Sequence, residues 1–262
     1  MVMETNKRPI ALILGGSSGL GAATAQKLGK AGYDLVIVHR DRKADMLEIE
    51  SFFDQLRQEG IECHSFNNDA VTLPKQQELW TATKSLIKNR KIKVLVHSIA
   101  KGNLKPMTGS TGVLTNQDFH LTLQAMAVSL FDWVKLIVED DFFDSDARVI
   151  AFTSEGNSKA WRGYAAVSAA KVSLEAIVRN IALEFASMGI KANCIQAGVT
   201  DTKSLRMIPG HEILIEKALK RNPNKRLTSP ADVANAVYLL TLPEARWITG
   251  TVIKVDGGES LQ

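Results

Sequence analysis

Two groups of residues in this sequence carry chemistry by their types and spacing. The first is Gly15-Gly16-Ser17-Ser18-Gly19-Leu20-Gly21, set directly behind an apolar run and ahead of an alanine-rich stretch. Glycines let a chain turn tightly and bring backbone close to a ligand. The free N–H groups at a helix start then meet an anion with the favourable end of the dipole. A strand, this loop and a helix make a cradle for a pyrophosphate, formed by Gly15, Ser17, Ser18, Gly19, Leu20 and Gly21. The second group is Tyr164 and Lys171. Seven residues at about 100° each bring the phenol to within about 20° of the lysine's direction, so a donor hydroxyl and a cation share one helix face.

These groups need elements to hold them, and the sequence supplies a regular series. Short apolar or β-branched runs at 10–14, 34–39, 62–67, 94–98, 148–153, 191–197 and 251–256 alternate with helical segments near 19–31, 45–59, 73–89, 117–140, 164–188 and 230–241. Most of the runs are apolar nearly throughout, as expected of strands covered on both faces. Repeated strand-helix-strand spacing requires crossovers, and right-handed crossovers wind helices onto both faces of a parallel sheet. The expectation is α/β: a single Rossmann-type, doubly wound domain over residues 1–262 with a seven-stranded parallel sheet. Residues 1–8 are polar and expected to be flexible. Residues 198–228 lack a clear strand and are expected to form a small substrate lid. Within it, residues 203–226 hold seven basic and two acidic side chains, which suits either an acidic partner or a plain solvated face. Leu205, Met207, Ile208, Ile213 and Leu214 there either line an apolar pocket or pack the lid down.

Composition narrows the function classes. With 45% apolar and 23% charged residues, the 262-residue chain has the make-up of a soluble globular protein, and its 18 glycines show no collagen period. The balance of 32 basic against 28 acidic residues is too even, and too dispersed, to argue for nucleic acid. No apolar run approaches the roughly 18 residues that span a bilayer, and the polar N-terminus does not resemble a signal peptide. A cytoplasmic protein without a membrane, nucleic-acid or metal partner is expected. Cys63 and Cys194 lie far apart in apolar stretches and are expected to be buried, reduced thiols.

The spacing Gly15-x3-Gly19-x-Gly21 departs from the common fingerprint Gly-x-Gly-x-x-Gly. It resembles the short-chain dehydrogenase/reductase family, whose motif reads Thr-Gly-x3-Gly-x-Gly, with Leu14 here in place of the threonine. That family's usual active site has Ser, Tyr thirteen residues later, and Lys four beyond. Ser154 and Lys171 keep the separation, but the position between them is Val167 and the tyrosine is Tyr164. Tyr-x6-Lys resembles the enoyl-acyl carrier protein reductases, a divergent branch. So does His97-Ser98-Ile99-Ala100 after the fourth strand, where ordinary members carry Asn-Asn-Ala-Gly. The displacement has a chemical logic. A ketone reductase needs its acid beside the oxygen on the carbon that receives hydride. In an enoyl thioester hydride goes to the β-carbon and charge gathers on an oxygen farther along, so the donor moves by one helical turn, roughly 5 Å.

The resemblance implies NADPH-dependent reduction of a trans-2-enoyl thioester, carried on acyl carrier protein or CoA, by a homotetramer in fatty-acid synthesis. Tyr164 would stabilise the enolate oxygen and Lys171 would hold the nicotinamide ribose. Ser154 would orient the thioester or merely cap its strand. Further coenzyme contacts implied are Asp69, Ala70, Ser98, Ile99, Ala100, Gly198, Thr200 and Thr202, although a turn-forming role explains Asp69 nearly as well. An NAD site wants a carboxylate at the end of the second strand. Here His39 holds that tip, followed by Arg40, Asp41, Arg42 and Lys43, so NADPH is favoured over NADH. Ser129 either supports the active-site floor or bonds its own helix backbone. A ketone or 3-oxoacyl thioester reductase of the same superfamily and a nonenzymatic NADPH-binding sensor are the alternative readings.

Overall fold

Seven strands form, β1 (Ile10–Leu14), β2 (Asp34–His39), β3 (Cys63–Asn67), β4 (Ile92–His97), β5 (Phe143–Ser154), β6 (Ile190–Ala197) and β7 (Val252–Val255), in a computed structural model that describes residues 8–262. All pair in parallel, in the order β3-β2-β1-β4-β5-β6-β7. The direction of winding reverses between β1 and β4. Loops leaving those two strands therefore diverge, opening a crevice at the carboxyl ends of the sheet.

The helices are α1 (Gly19–Lys30), α2 (Met46–Gln58), α3 (Leu73–Ile87), α4 (Asn116–Leu123), α5 (Ser129–Glu139), α6 (Ala165–Glu184), α7 (Lys203–Arg206), α8 (His211–Arg221) and α9 (Pro230–Thr241). β1 shows why both faces of the sheet must be covered. Its Ile10, Leu12 and Leu14 pack with Trp80 of α3, Trp133 of α5 and Leu174 of α6. Its Ala11 and Ile13 point the other way, into a second core with Leu28 of α1, Phe53 of α2 and Val237 of α9. Alternation along one strand thus feeds two apolar layers. Ser229 and Asp232 form a capping box that starts α9 at Pro230.

Three features differ from the sequence expectations. First, β5 begins at Phe143, five residues before the apolar run. Its polar start is stabilised by cations on the neighbouring strands and on β5 itself: Lys93 Nζ of β4 lies 3.1 Å from Asp144, and Lys191 of β6 together with Arg148 of β5 holds Asp146. Second, the long helix near 117–140 is α4 and α5 joined by a π-helical turn, Gln124–Val128. Residues 116–139 include an 18-residue window apolar enough by composition to cross a membrane, unlike the sequence reading. One face of it is instead buried in the core, with Leu130, Trp133, Val134 and Ile137 wholly enclosed, while Leu121 and Phe131 are exposed. Third, Arg8 is tied down. Its Nη1 donates to the Gly60 carbonyl at 2.9 Å, and its own carbonyl accepts from Arg90 at 2.8 Å. The rest of the expected flexible N-terminus, residues 1–7, lies outside the described residues. Cys63 and Cys194 are free and buried, and burial pushes their thiols up to about 11 and about 12.

Candidate active site

A cavity of about 760 Å³ opens at the carboxyl ends of the central strands. One side of it is the loop between β1 and α1. Gly15, Ser17, Ser18, Gly19 and Leu20 line it, while Gly21 does not reach it. Gly21 acts from behind: a β-carbon there would sit 2.0 Å from the Gly15 carbonyl oxygen and 3.0 Å from Ser98 Oγ. Only glycine lets the first turn of α1 lie this close to the loop it follows. Ser18 is the N-cap of α1 yet makes no capping hydrogen bond, so its hydroxyl is uncommitted within the helix. Ser98, Ile99 and Ala100 line the facing wall.

The opposite end is built around Tyr164. Helix α6 starts at Ala165, so Tyr164 is its N-cap and not a helical residue as the 164–188 reading had it. Its carbonyl still accepts the first helical bond, from Ser168 N at 2.8 Å. Tyr164, Lys171, Ser154 and Val167 all line the cavity. The Tyr164 and Ser154 hydroxyls are 3.3 Å apart. Burial pushes the phenol's pKa up, opposed by the bond with Ser154, and keeps it a donor at neutral pH. Lys171 is buried and donates to the Phe152 carbonyl at 2.6 Å. Burial pulls its ammonium down to about 8, with Cys194 and Glu175 opposing.

Behind Lys171 lies His97. Its Nε2 is 2.9 Å from Ser129 Oγ, and Ser129 Oγ is 2.9 Å from the Ala125 carbonyl. A hydroxyl has one proton, and the carbonyl can only accept it, so His97 Nε2 is the donor to Ser129. Ser129 therefore bonds its own helix backbone and also accepts from His97, while neither side chain lines the cavity. Burial, then the charge of Lys171, pulls His97 down to about 3, leaving a neutral ring below the cation.

Two parts of the site carry no motif. Gly156, in the turn after β5, and Trp161 hold the Tyr164 ring: a β-carbon on Gly156 would lie 2.4 Å from Tyr164 Cε1, and the two aromatic rings meet edge to face at 5.1 Å. Arg221 of α8 reaches back to Glu155 at 2.8 Å and to Glu259 at 2.6 Å. Both carboxylates border the cavity, so the arginine ties α8 to the end of β5 and to the C-terminal turn.

The remaining expected residues lie at the cavity but are partly spent on local structure. Thr202 caps α7 by accepting from Leu205 N, and Thr200 donates to the Gly198 carbonyl at 2.9 Å. Asp69 accepts from Val71 N and Thr72, the turn-forming role, with Ala70 next to it and Arg40 4.0 Å away. Leu205, Ile208 and Leu214 face the cavity, whereas Met207 and Ile213 are exposed. The basic excess of 203–226 is largely answered within the chain: Lys203, Arg206, Lys220, Arg221 and Arg226 all have carboxylate partners.

A family model described as Enoyl-(Acyl carrier protein) reductase matches residues 15–260. The chain belongs to that family. This short-chain dehydrogenase/reductase is 26% identical over 249 residues to the 7alpha-hydroxysteroid dehydrogenase of Escherichia coli, covering 95% of this chain and 92% of that one. It is also 26% identical over 260 residues to the 1-cyclohexenylcarbonyl-CoA reductase of Streptomyces collinus, covering 98% and 88%. Among solved structures, the enoyl-acyl carrier protein reductase of Bacillus cereus, with NADP+ and an indole naphthyridinone, superposes with a TM-score of 0.87 at 22% identity, over 99% of each chain. The reductase fold is therefore shared across its length, and the chain is an NAD(P)-dependent oxidoreductase of this superfamily.

Proposed function

We propose that this chain reduces the double bond of a trans-2-enoyl thioester with NADPH, on acyl carrier protein or CoA, in fatty-acid synthesis. The observation that carries the reading is the phenol of Tyr164 in the cavity wall beside Ser154, with an inert Val167 where a ketone reductase would keep its acid. The cavity suits a dinucleotide: Gly15 and Gly19 present bare backbone at the loop, the Ser18 hydroxyl is unspent, and Arg40 stands exposed at the far end. When bound, the reduced nicotinamide supplies the hydride. Lys171 holds the nicotinamide ribose and contributes positive charge. Tyr164 donates to the thioester oxygen as negative charge develops there, with Ser154 fixing the direction of the phenol. Leu104, Met126, Trp161 and Ile208 give the acyl portion a dry wall.

One preorganised donor of this kind is worth about 2.7–4 kcal/mol, so Tyr164→Phe lowers turnover by about 100- to 1000-fold with coenzyme affinity kept, and Lys171→Ala damages both. The deciding assay follows nicotinamide absorbance with crotonyl and acetoacetyl thioesters. Oxidation with the enoyl substrate alone supports the proposal. Oxidation with the oxo substrate alone makes the chain a carbonyl reductase, and binding without turnover makes it an NADPH sensor. The proposal also takes the protein as a cytoplasmic homotetramer, supported by the alanine-rich first half of α6, which permits close helix approach; light scattering after gel filtration tests the assembly.

A further inference from the structure

The end of β2 carries opposed signals for coenzyme choice. Arg40 and Arg42 suit the 2′-phosphate of NADPH, while Asp41 suits the free 2′-hydroxyl of NADH, and all three border the cavity. The side chains around Asp41 settle how the two compete. His39, the last residue of β2, is buried, and its ring packs on Phe53 with centroids 5.4 Å apart. Its Nδ1 lies 2.8 Å from Asp41 Oδ2. An ionised carboxylate can only accept, so Nδ1 carries the proton and donates. Its Nε2 is buried without a partner among the described residues, so no second bond competes to turn the ring away. Asn67, at the end of β3, pins the Asp41 backbone from the other side. Asp41 N donates to Asn67 Oδ1 at 3.0 Å, and Asn67 Nδ2 donates to the Asp41 carbonyl at 3.2 Å.

Asp41 is thus held at backbone and side chain, with its carboxylate drawn toward a buried ring. Arg40 is the opposite case. Its side chain is 62% exposed, and its ion-pair partner among the described residues, Asp69, is a distant 4.0 Å away. A guanidinium that is neither buried nor tightly paired is free to meet a phosphate with its fork of donors.

We infer that His39 is the residue that selects the coenzyme. By holding the Asp41 carboxylate against the strand end it removes the acid that would favour NADH, and it leaves Arg40 to receive the 2′-phosphate. This deepens the NADPH part of the proposed function and rests on dinucleotide binding alone, so it stands or falls independently of which thioester is reduced.

The test measures dissociation constants for NADPH and NADH by titration calorimetry, without substrate, in the full-length protein. A charge-assisted hydrogen bond gained or lost changes affinity by about 10- to 100-fold, which sets the scale of the shifts. The wild-type protein binds NADPH at least about tenfold more tightly than NADH. His39→Phe keeps the ring packing on Phe53 but frees Asp41, so the NADPH preference falls about tenfold. In His39→Phe/Asp41→Ala the acid is gone and the preference returns, a rescue that a merely structural histidine would not give. Asp41→Ala alone leaves NADH affinity within about twofold, and this variant decides the matter if His39→Phe does not fold. A wild-type preference for NADH, an unchanged ratio in His39→Phe, no rescue in the double variant, or a tenfold loss of NADH binding in Asp41→Ala each overturns the assignment.

Discussion

Replacing Gly156 by alanine tests whether the position of the Tyr164 phenol, and not merely its presence, drives turnover. The added β-carbon would lie 2.4 Å from Tyr164 Cε1 and 2.9 Å from Cδ1, with Trp161 Cζ3 at 3.4 Å. Both aromatic rings converge on this glycine, so the indole leaves the phenol no room to slip sideways. Ordinary contact begins near 3.4 Å, and the ring must retreat by about 1 Å. The turn itself is less able to yield, because Ser168 Oγ donates to the Gly156 carbonyl at 2.5 Å. A misplacement of about 1 Å at a reacting group costs on the order of 100-fold in rate, or about 2.7 kcal/mol. With crotonyl-CoA and NADPH, Gly156→Ala is expected to lower kcat about 30- to 100-fold while NADPH affinity stays within about twofold. The loss should also be redundant with removal of the hydroxyl: Gly156→Ala/Tyr164→Phe turns over no more slowly than Tyr164→Phe alone. A near-normal kcat in the single variant, or full additivity in the double, would refute the idea that this turn sets the donor's position.

Three other outcomes follow from packing and charge. Lys171 keeps a lowered pKa, about 8 against 10.5, so between those values the unfolded chain binds more protons than the folded one and stability rises with pH. Lys171→Met should therefore exceed the wild type in urea stability at pH 7, with the gap closing between about pH 8 and 10.5; a pH-independent gap contradicts the burial argument. Arg221→Met strands Glu259, which is 3% exposed. The expected loss is about 2 kcal/mol, below the 3–5 typical of a fully buried pair because the arginine is partly solvated. Chemical denaturation reads this directly. Trp133→Phe removes the indole bond to the Ala70 carbonyl, but Gln76 still donates to that oxygen at 2.9 Å. A loss near 1 kcal/mol is expected, against about 3–5 for Trp133→Ala.

The sheet could be read from the chain because burial on both faces writes itself as short apolar runs, and β1, β2 and β6 kept their limits within a residue. The start of β5 is hidden, since Asp144 and Asp146 break the apolar pattern and only the folded sheet brings Lys93 and Lys191 from the partner strands to accommodate them beside Arg148. The reach of Arg221 to Glu155 spans 66 residues, and no local pattern encodes a contact between α8 and the end of β5. The roles of Gly156 and Trp161 were equally silent, because they depend on where a ring comes to rest. The bond between His39 and Asp41 is different. Residues two apart at a strand end project to one side, so that pairing is legible in the sequence itself.

The π-helical turn Gln124–Val128 limits how this chain can change over evolutionary time. Such a turn holds one residue more than an α-helical one. A one-residue deletion there would leave an unbroken α-helix of good propensity, so the helix itself offers no objection. Everything downstream, however, would swing by about 100° about the axis. Ser129 would leave the imidazole it accepts from, and Trp133 would exit its apolar seat. A single-codon loss at this turn would therefore pull α5 out of register with the β4 strand end it packs beneath.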